Sequence, residues 1–422
     1  MKHKEAPMTP TKPENQVTLS RRGLFLGAAA GAAAGTALPA RAAPPDVSAS
    51  ADPMQTRHLF YGSGPQAGVA TLPQKHAMVM TFDLTTQDAR ELQTLLARWS
   101  AAIGVLMEGA PVGQVEPARA SAVALDTGEA LDLGPAALSV TIGLGPRVFG
   151  PELGLAGHRP AKLRDLAPLP SDNLRPEFTG GDLSLQACAE DPQVVYHAVR
   201  VLTRIAKRTG AATVRWTQMG FGRASAGKGQ VTPRNLLGFR DGTRNIREPD
   251  EFDAHVWSRE GPAWQHGGTY QVLRKIEMGI ENWDTDRVDD QNAVFGRHKA
   301  SGAPLGGHHE FDTPDFTAQG ADGAPVIAED AHIRLVAYEH NEGTRILRRS
   351  YNYTSGLNAV GRLEAGLMFI SYQNDPAHFE KLQRKLGAGD ALNEYISHVG
   401  SALFWVPPAA PEGSYIGAPL FE

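Results

Sequence analysis

The sequence predicts an α+β fold in which two similar units sit side by side, and three observations lead there. Near the start of each half, a β-rich run precedes a helical pattern. Late in each half, a strand runs into an Asp-Pro helix start. The composition, with 41% apolar and 21% charged side chains over 422 residues, describes a globular chain with a large core. It excludes a disordered, collagenous or polytopic membrane protein.

Each element has its local reason. His76-Ala77-Met78-Val79-Met80-Thr81-Phe82-Asp83-Leu84 is rich in strand formers, and Ala89–Trp99 follows with Leu92, Leu95, Leu96 and Trp99 at helical spacing. The counterpart is Thr269–Met278, followed by a helix-like stretch from about Asp286 to Phe295. Leu183–Ala189 meets Asp191-Pro192, then a helix carrying Val195, Val199, Leu202 and Ile205. Leu367–Tyr372 meets Asp375-Pro376, then Phe379, Leu382 and Leu386. Asp followed by Pro suits the N-cap and first helical positions. Strand–helix–strand, repeated within each half, reads as two ferredoxin-like units, an N-terminal one over 57–235 and a C-terminal one over 236–422. The Gly/Pro-rich stretches 143–176 and 300–325 are long loops, where sites tend to form.

Residues 1–42 read as an export signal. Ser20-Arg21-Arg22-Gly23-Leu24-Phe25-Leu26 opens an Ala/Gly-rich apolar run to Leu38, and Ala40-Arg41-Ala42 offers small residues for cleavage. The paired arginines point to the twin-arginine route, which carries folded proteins and suits one loaded with a cofactor beforehand. A Pro/Ala/Ser linker, 43–56, follows. The whole chain has a net charge of −5; without the signal it is −9, which argues against nucleic acid and anionic membranes as partners. The one cysteine, Cys188, excludes an internal disulfide, a Cys-built zinc site and an iron–sulfur cluster. Set in the apolar string LSLQACA, it reads as a core thiol rather than a nucleophile or metal ligand.

Four segments could carry chemistry. In Gly238-Phe239-Arg240-Asp241-Gly242-Thr243-Arg244-Asn245, two glycines bracket an Asp in a basic turn, so the backbone can approach a flat or anionic ligand; an ordinary Asp-Gly turn reads the same. Asp330-Ala331-His332-Ile333-Arg334-Leu335-Val336 alternates like a strand around one histidine, and such a histidine is more often structural than a ligand. Ile346-Leu347-Arg348-Arg349-Ser350-Tyr351-Asn352-Tyr353 is a strand whose adjacent arginines point to opposite faces. One of them, if turned inward, needs an anionic partner or substrate; an ordinary edge salt bridge reads the same. The run from Arg297 to Asp312 holds several histidines without regular ligand spacing and reads as a solvated loop. The chain has no phosphate-binding loop, no H-E-x-x-H, no G-x-S-x-G elbow and no dinucleotide fingerprint.

Taken together, GFRDGTRN (238–245), RHKASGAPLGGHHEFD (297–312), AHIRL (331–335), ILRRSYNY (346–353), GLMFISYQNDP (366–376) and HVGSALFWVPP (398–408) resemble the dye-decolourising peroxidase family, in particular its secreted deferrochelatase/peroxidase-like branch. The resemblance implies one haem b per chain, held mainly by the C-terminal half. It implies His332 as axial iron ligand, Asp241 as acid–base, and Arg348 as the arginine that works beside it and touches haem. Gly242, Thr243 and Arg244 fall in the haem-contacting turn, and Glu394 falls where an acid hydrogen-bonds the axial histidine. Arg240 and Arg244 are the candidates to keep Asp241 ionised. A carboxylate can carry the peroxide proton from the inner to the outer oxygen, and a guanidinium offsets charge on the departing one. A haem carrier without turnover would have no use for that pair.

The implied function is a haem peroxidase that oxidises bulky aromatic, phenolic or dye substrates with hydrogen peroxide. The alternative is a deferrochelatase that frees iron from haem and leaves the porphyrin intact. Either is expected in the periplasm or outside the cell, with no nucleic-acid partner and no stable membrane insertion after signal cleavage. A homo-oligomer fits both, and iron-uptake partners go with the alternative.

Overall fold

The computed structural model describes residues 52–422, so the predicted export signal and most of the linker lie outside the described residues. The N-terminal half contains β1 (His76–Leu84), α1 (Ala89–Met107), β2 (Ser139–Leu144), β3 (Leu183–Ala189), α2 (Pro192–Thr209) and β4 (Ala212–Arg223). The C-terminal half begins with α3 (Pro249–His255), β5 (Thr269–Met278), α4 (Ile280–Trp283), α5 (Val288–Phe295) and α6 (His332–Leu335). It continues with β6 (Leu347–Arg348), β7 (Tyr351–Leu357), β8 (Leu363–Gln373), α7 (Pro376–Gly389) and β9 (Ile396–Val406).

The duplication in the sequence is a duplication of topology. The N-terminal strands lie in the order β2-β3-β1-β4 and the main C-terminal strands in the order β7-β8-β5-β9. In both sheets the first strand sits between the third and fourth, which is the ferredoxin-like arrangement. The sheets meet where β4 pairs with β7 and β2 touches β9 at Leu144 and Trp405, so the strands close into a ring.

Side chains alternate across each strand, and this sorts the core. Met78, Met80 and Phe82 of β1 face outward beneath α1 and α2, among Leu95, Leu96 and Trp99. Val79, with Leu273, Ile370, Tyr372 and Phe404, faces the interior between the sheets. Cys188 is fully buried there, as a core thiol should be. The Asp-Pro helix starts form as predicted: Asp191 accepts the N–H groups of Gln193 and Val194, and Asp375 accepts that of Ala377.

Two expectations change. His332 lies not on a strand but on the one-turn helix α6. A six-residue apolar–polar alternation also fits a single helical turn, and this segment has no strand beside it to pair with. The C-terminal tail leaves its own half: Ala410, Ile416 and Leu420 join the core beneath α1, and Gly62 N–H donates to Ala410 O at 2.9 Å. Among the described residues no helix is long and apolar enough to cross a membrane.

Candidate active site

In the N-terminal half two long helices cover the outer sheet face. In the C-terminal half only α7 is comparable; the place of the other helix is taken by α4, α5, α6 and the 300–325 loop. Short elements fill less volume, and a cavity remains. Ile276 and Met278 of β5, Leu367 and Phe369 of β8, and Leu382 and Leu386 of α7 line it.

His332 lines this cavity from α6, with Nδ1 2.6 Å from Asp390 Oδ2. Asp390 is buried just past α7, and its other oxygen accepts the Leu392 N–H at 2.9 Å. One carboxylate thus caps a turn and fixes the imidazole. An ionised Asp390 puts the proton on Nδ1 and leaves the Nε2 lone pair free. Burial works against a charged His332, but the charge and hydrogen bond of Asp390 outweigh it and hold the imidazole above its ordinary pKa. Glu394, expected in this role, is exposed and lines a separate surface pocket with Arg175 and Arg362. It closes the turn that Asp390 begins, one turn further along the chain and away from His332.

The 235–245 loop brings in Asp241. Asn235 Oδ1 accepts the N–H groups of Leu237 and Phe239 at 3.1 and 3.2 Å, which tightens the loop around Gly238. Gly242 has φ +96°, and a Cβ there would sit 3.2 Å from the backbone of Ser225 and Ala226, so the turn needs glycine. Asp241 Oδ1 accepts a hydrogen bond from Arg348 Nη1 at 2.5 Å, and Gly242, Thr243 and Arg244 line the cavity beside them. Arg240 and Arg244, the expected partners of Asp241, are engaged elsewhere. Arg240 pairs with Glu310 at 3.2 Å, while Arg244 pairs with Glu339 at 2.6 Å and lies 4.2 Å over the Tyr338 ring.

The adjacent arginines diverge as the alternation predicts. Arg348 faces the cavity, whereas Arg349 is buried on the other side, where Nη2 donates to Gln74 Oε1 at 2.5 Å. The His308–His309 loop is exposed, and both its N–H groups donate to Asp312, an ordinary loop closure. Among the described residues no cluster of His, Cys, Asp and Glu could hold a bare metal ion.

Sequence reasoning missed Asp390 and Arg297. The Arg297 guanidinium is buried on the cavity wall and donates through Nη1 only to the carbonyls of Gly302 and Glu310. Burial, with Arg244 and Arg348 adding to it against Glu310, pushes its pKa down to about 10. A buried cation whose hydrogen bonds go to carbonyls alone is stabilised by an anion. An apolar slot with a free imidazole nitrogen, an acid–guanidinium pair and this cation fits a flat, apolar, iron-bearing ligand with carboxylate groups. Haem has that chemistry.

Fold and site together define an α+β haem enzyme of the peroxidase class. The N-terminal model of the Dyp-type peroxidases matches residues 66–222 and the C-terminal model residues 232–411, so the chain belongs to the Dyp-type peroxidase family, whose members are haem-dependent. A deferrochelatase of Yersinia pseudotuberculosis serotype I is 37% identical over 432 residues, covering 98% of each chain. A dye-decolorizing peroxidase of Thermobifida fusca is 38% identical, covering 96% of this chain and 97% of its own. Among solved structures, ferric DtpA from Streptomyces lividans is 37% identical with a TM-score of 0.79, covering 87% of this chain and 97% of that one. The DyP-type peroxidase from Cellulomonas bogoriensis is 38% identical with a TM-score of 0.79, covering 88% and 100%.

Proposed function

We propose that this protein reduces hydrogen peroxide and oxidises bulky aromatic donors, with His332 ligating haem iron and Asp241 and Arg348 handling the peroxide. The observation that carries the reading is the Asp241–Arg348 pair in the cavity that His332 also lines. When bound, haem supplies a redox-active iron that takes electrons singly from a donor and delivers them to peroxide. Asp241 accepts the proton from one peroxide oxygen and returns it to the other, which leaves as water. Arg348 stays protonated, holds Asp241 Oδ1 through Nη1, and offsets the negative charge that develops on the departing oxygen.

Asp390 makes His332 a stronger donor to iron by drawing on the Nδ1 proton. Asp390→Asn keeps an N-cap oxygen for Leu392 but removes the charge beside Nδ1, so the haem reduction potential should rise. A redox titration checks this, with exposed Glu394→Gln as the control that stays at the wild-type value. An unmoved potential in Asp390→Asn removes the carboxylate from this role.

Export by the twin-arginine route to the periplasm or beyond follows from Ser20-Arg21-Arg22 and Ala40-Arg41-Ala42. Changing Arg21 and Arg22 to lysine should leave unprocessed protein inside the cell; unchanged secretion would contradict the assignment.

A second reading, iron release from haem, is favoured by the relatives named deferrochelatase. The two differ in their product: oxidised donor in one case, and in the other free iron with a metal-free porphyrin that fluoresces. Iron-uptake partners belong to this second reading, and a homo-oligomer is compatible with either.

A further inference from the structure

Arg348 sits on an edge. β6 is two residues long and pairs only with β8. Arg349 N–H donates to Ile370 O on β8 at 2.8 Å, so by alternation the N–H and C=O of Arg348 face the other way. Edge groups of this kind, half-buried beside a cavity, need partners. Asn245 supplies both: its Nδ2 donates to Arg348 O at 2.8 Å, and Arg348 N–H donates to its Oδ1 at 2.9 Å. The amide stands in for a missing neighbouring strand.

Asn245 also belongs to the turn that carries Asp241. Its N–H donates to Gly242 O at 3.1 Å, and the residue is only 6% exposed. Among the described residues no other hydrogen bond joins the 241–245 turn to the Arg348 backbone. We propose that Asn245 is a positioning residue that fixes Arg348 against Asp241, so that the reach of the guanidinium to peroxide is set by a backbone clamp and not by the ion pair alone. This rests on the peroxidase reading above.

An arginine side chain is long and rotamer-rich, and its ion pair with Asp241 tolerates movement of both partners together. The backbone clamp removes that freedom. A misplacement of ~1 Å can cost ~100-fold in rate. The Asn245→Ala variant removes both clamp bonds without touching Asp241, Arg348 or His332.

The test is a double-variant comparison on haem-loaded protein, reading the rate of reaction with peroxide by stopped-flow absorption. Asn245→Ala should be slowed ~10- to 100-fold, with its resting haem spectrum and the KM for an aromatic donor unchanged. Because Asn245 acts through Arg348, Asn245→Ala/Arg348→Leu should be no slower than Arg348→Leu alone. Asn245→Asp keeps the shape and the Oδ1 acceptor, and should fall between wild type and Asn245→Ala. It carries the test if the alanine variant loses haem. A wild-type rate in Asn245→Ala beside a slow Arg348→Leu overturns this proposal only, as do losses that multiply in the double variant. A wild-type rate in Arg348→Leu overturns the peroxidase division of labour itself.

Discussion

His332→Ala should lose haem on purification, or keep it only with a strongly shifted absorption spectrum. The sequence holds 14 histidines, and His332 lines the cavity with Nδ1 committed to Asp390 and Nε2 left for a metal. His398 lines the same cavity and is the natural competitor. Its Nε2 lies 3.2 Å from Gln383 Nε2, and burial, with the Arg274 charge adding to it, pushes its pKa down to about 3. With Nε2 already engaged by Gln383 and no carboxylate at Nδ1 to orient the ring and strengthen its donation, His398 makes the poorer iron ligand. His398→Ala should therefore retain the wild-type haem spectrum. The opposite pattern, with haem lost at 398 and kept at 332, would move the ligand.

Asp241→Asn should slow the reaction with peroxide by ~10²- to 10⁴-fold, the range for a lost general base. Arg348→Leu removes a charge-stabilising donor, which typically costs ~10²- to 10³-fold. The ranges overlap, so the pH profile has to separate them. A carboxylate takes the peroxide proton only while ionised, so the wild-type rate falls as the solution becomes acidic enough to protonate it. Asparagine cannot titrate, and Asp241→Asn should flatten that acid limb. Arg348→Leu should lower the rate yet keep the limb, because the carboxylate that takes the proton is still present. Wild-type rates in both variants would require another group to handle the proton.

Much of this architecture is legible in the sequence, for reasons visible in particular residues. Asp191-Pro192 and Asp375-Pro376 announce helix starts because an Asp cap and a proline ring act locally. The alternation through Arg348-Arg349 predicted that the two guanidinium groups part company, and Arg348 takes Asp241 while Arg349 is buried with Gln74. What failed was non-local. The partner of His332 is set by how α7 packs on the sheet, which places Asp390 at the imidazole and leaves Glu394 in solvent. The one-turn helix at His332 is fixed partly by Arg334, whose Nη1 donates to Phe316 O at 2.9 Å and Ile327 O at 3.0 Å, loop carbonyls that no local pattern reveals. The clamp at Asn245 depends on 103 residues of separation being closed by the fold.

The most direct measurement is the absorption spectrum of the purified, haem-loaded protein through one cycle: before peroxide, after a single equivalent, and after an aromatic donor is added. The main haem band should change rapidly on peroxide and return to the resting position on donor, with the porphyrin intact and iron retained. A band that ignores peroxide, or a protein that binds no haem, would contradict the peroxidase reading.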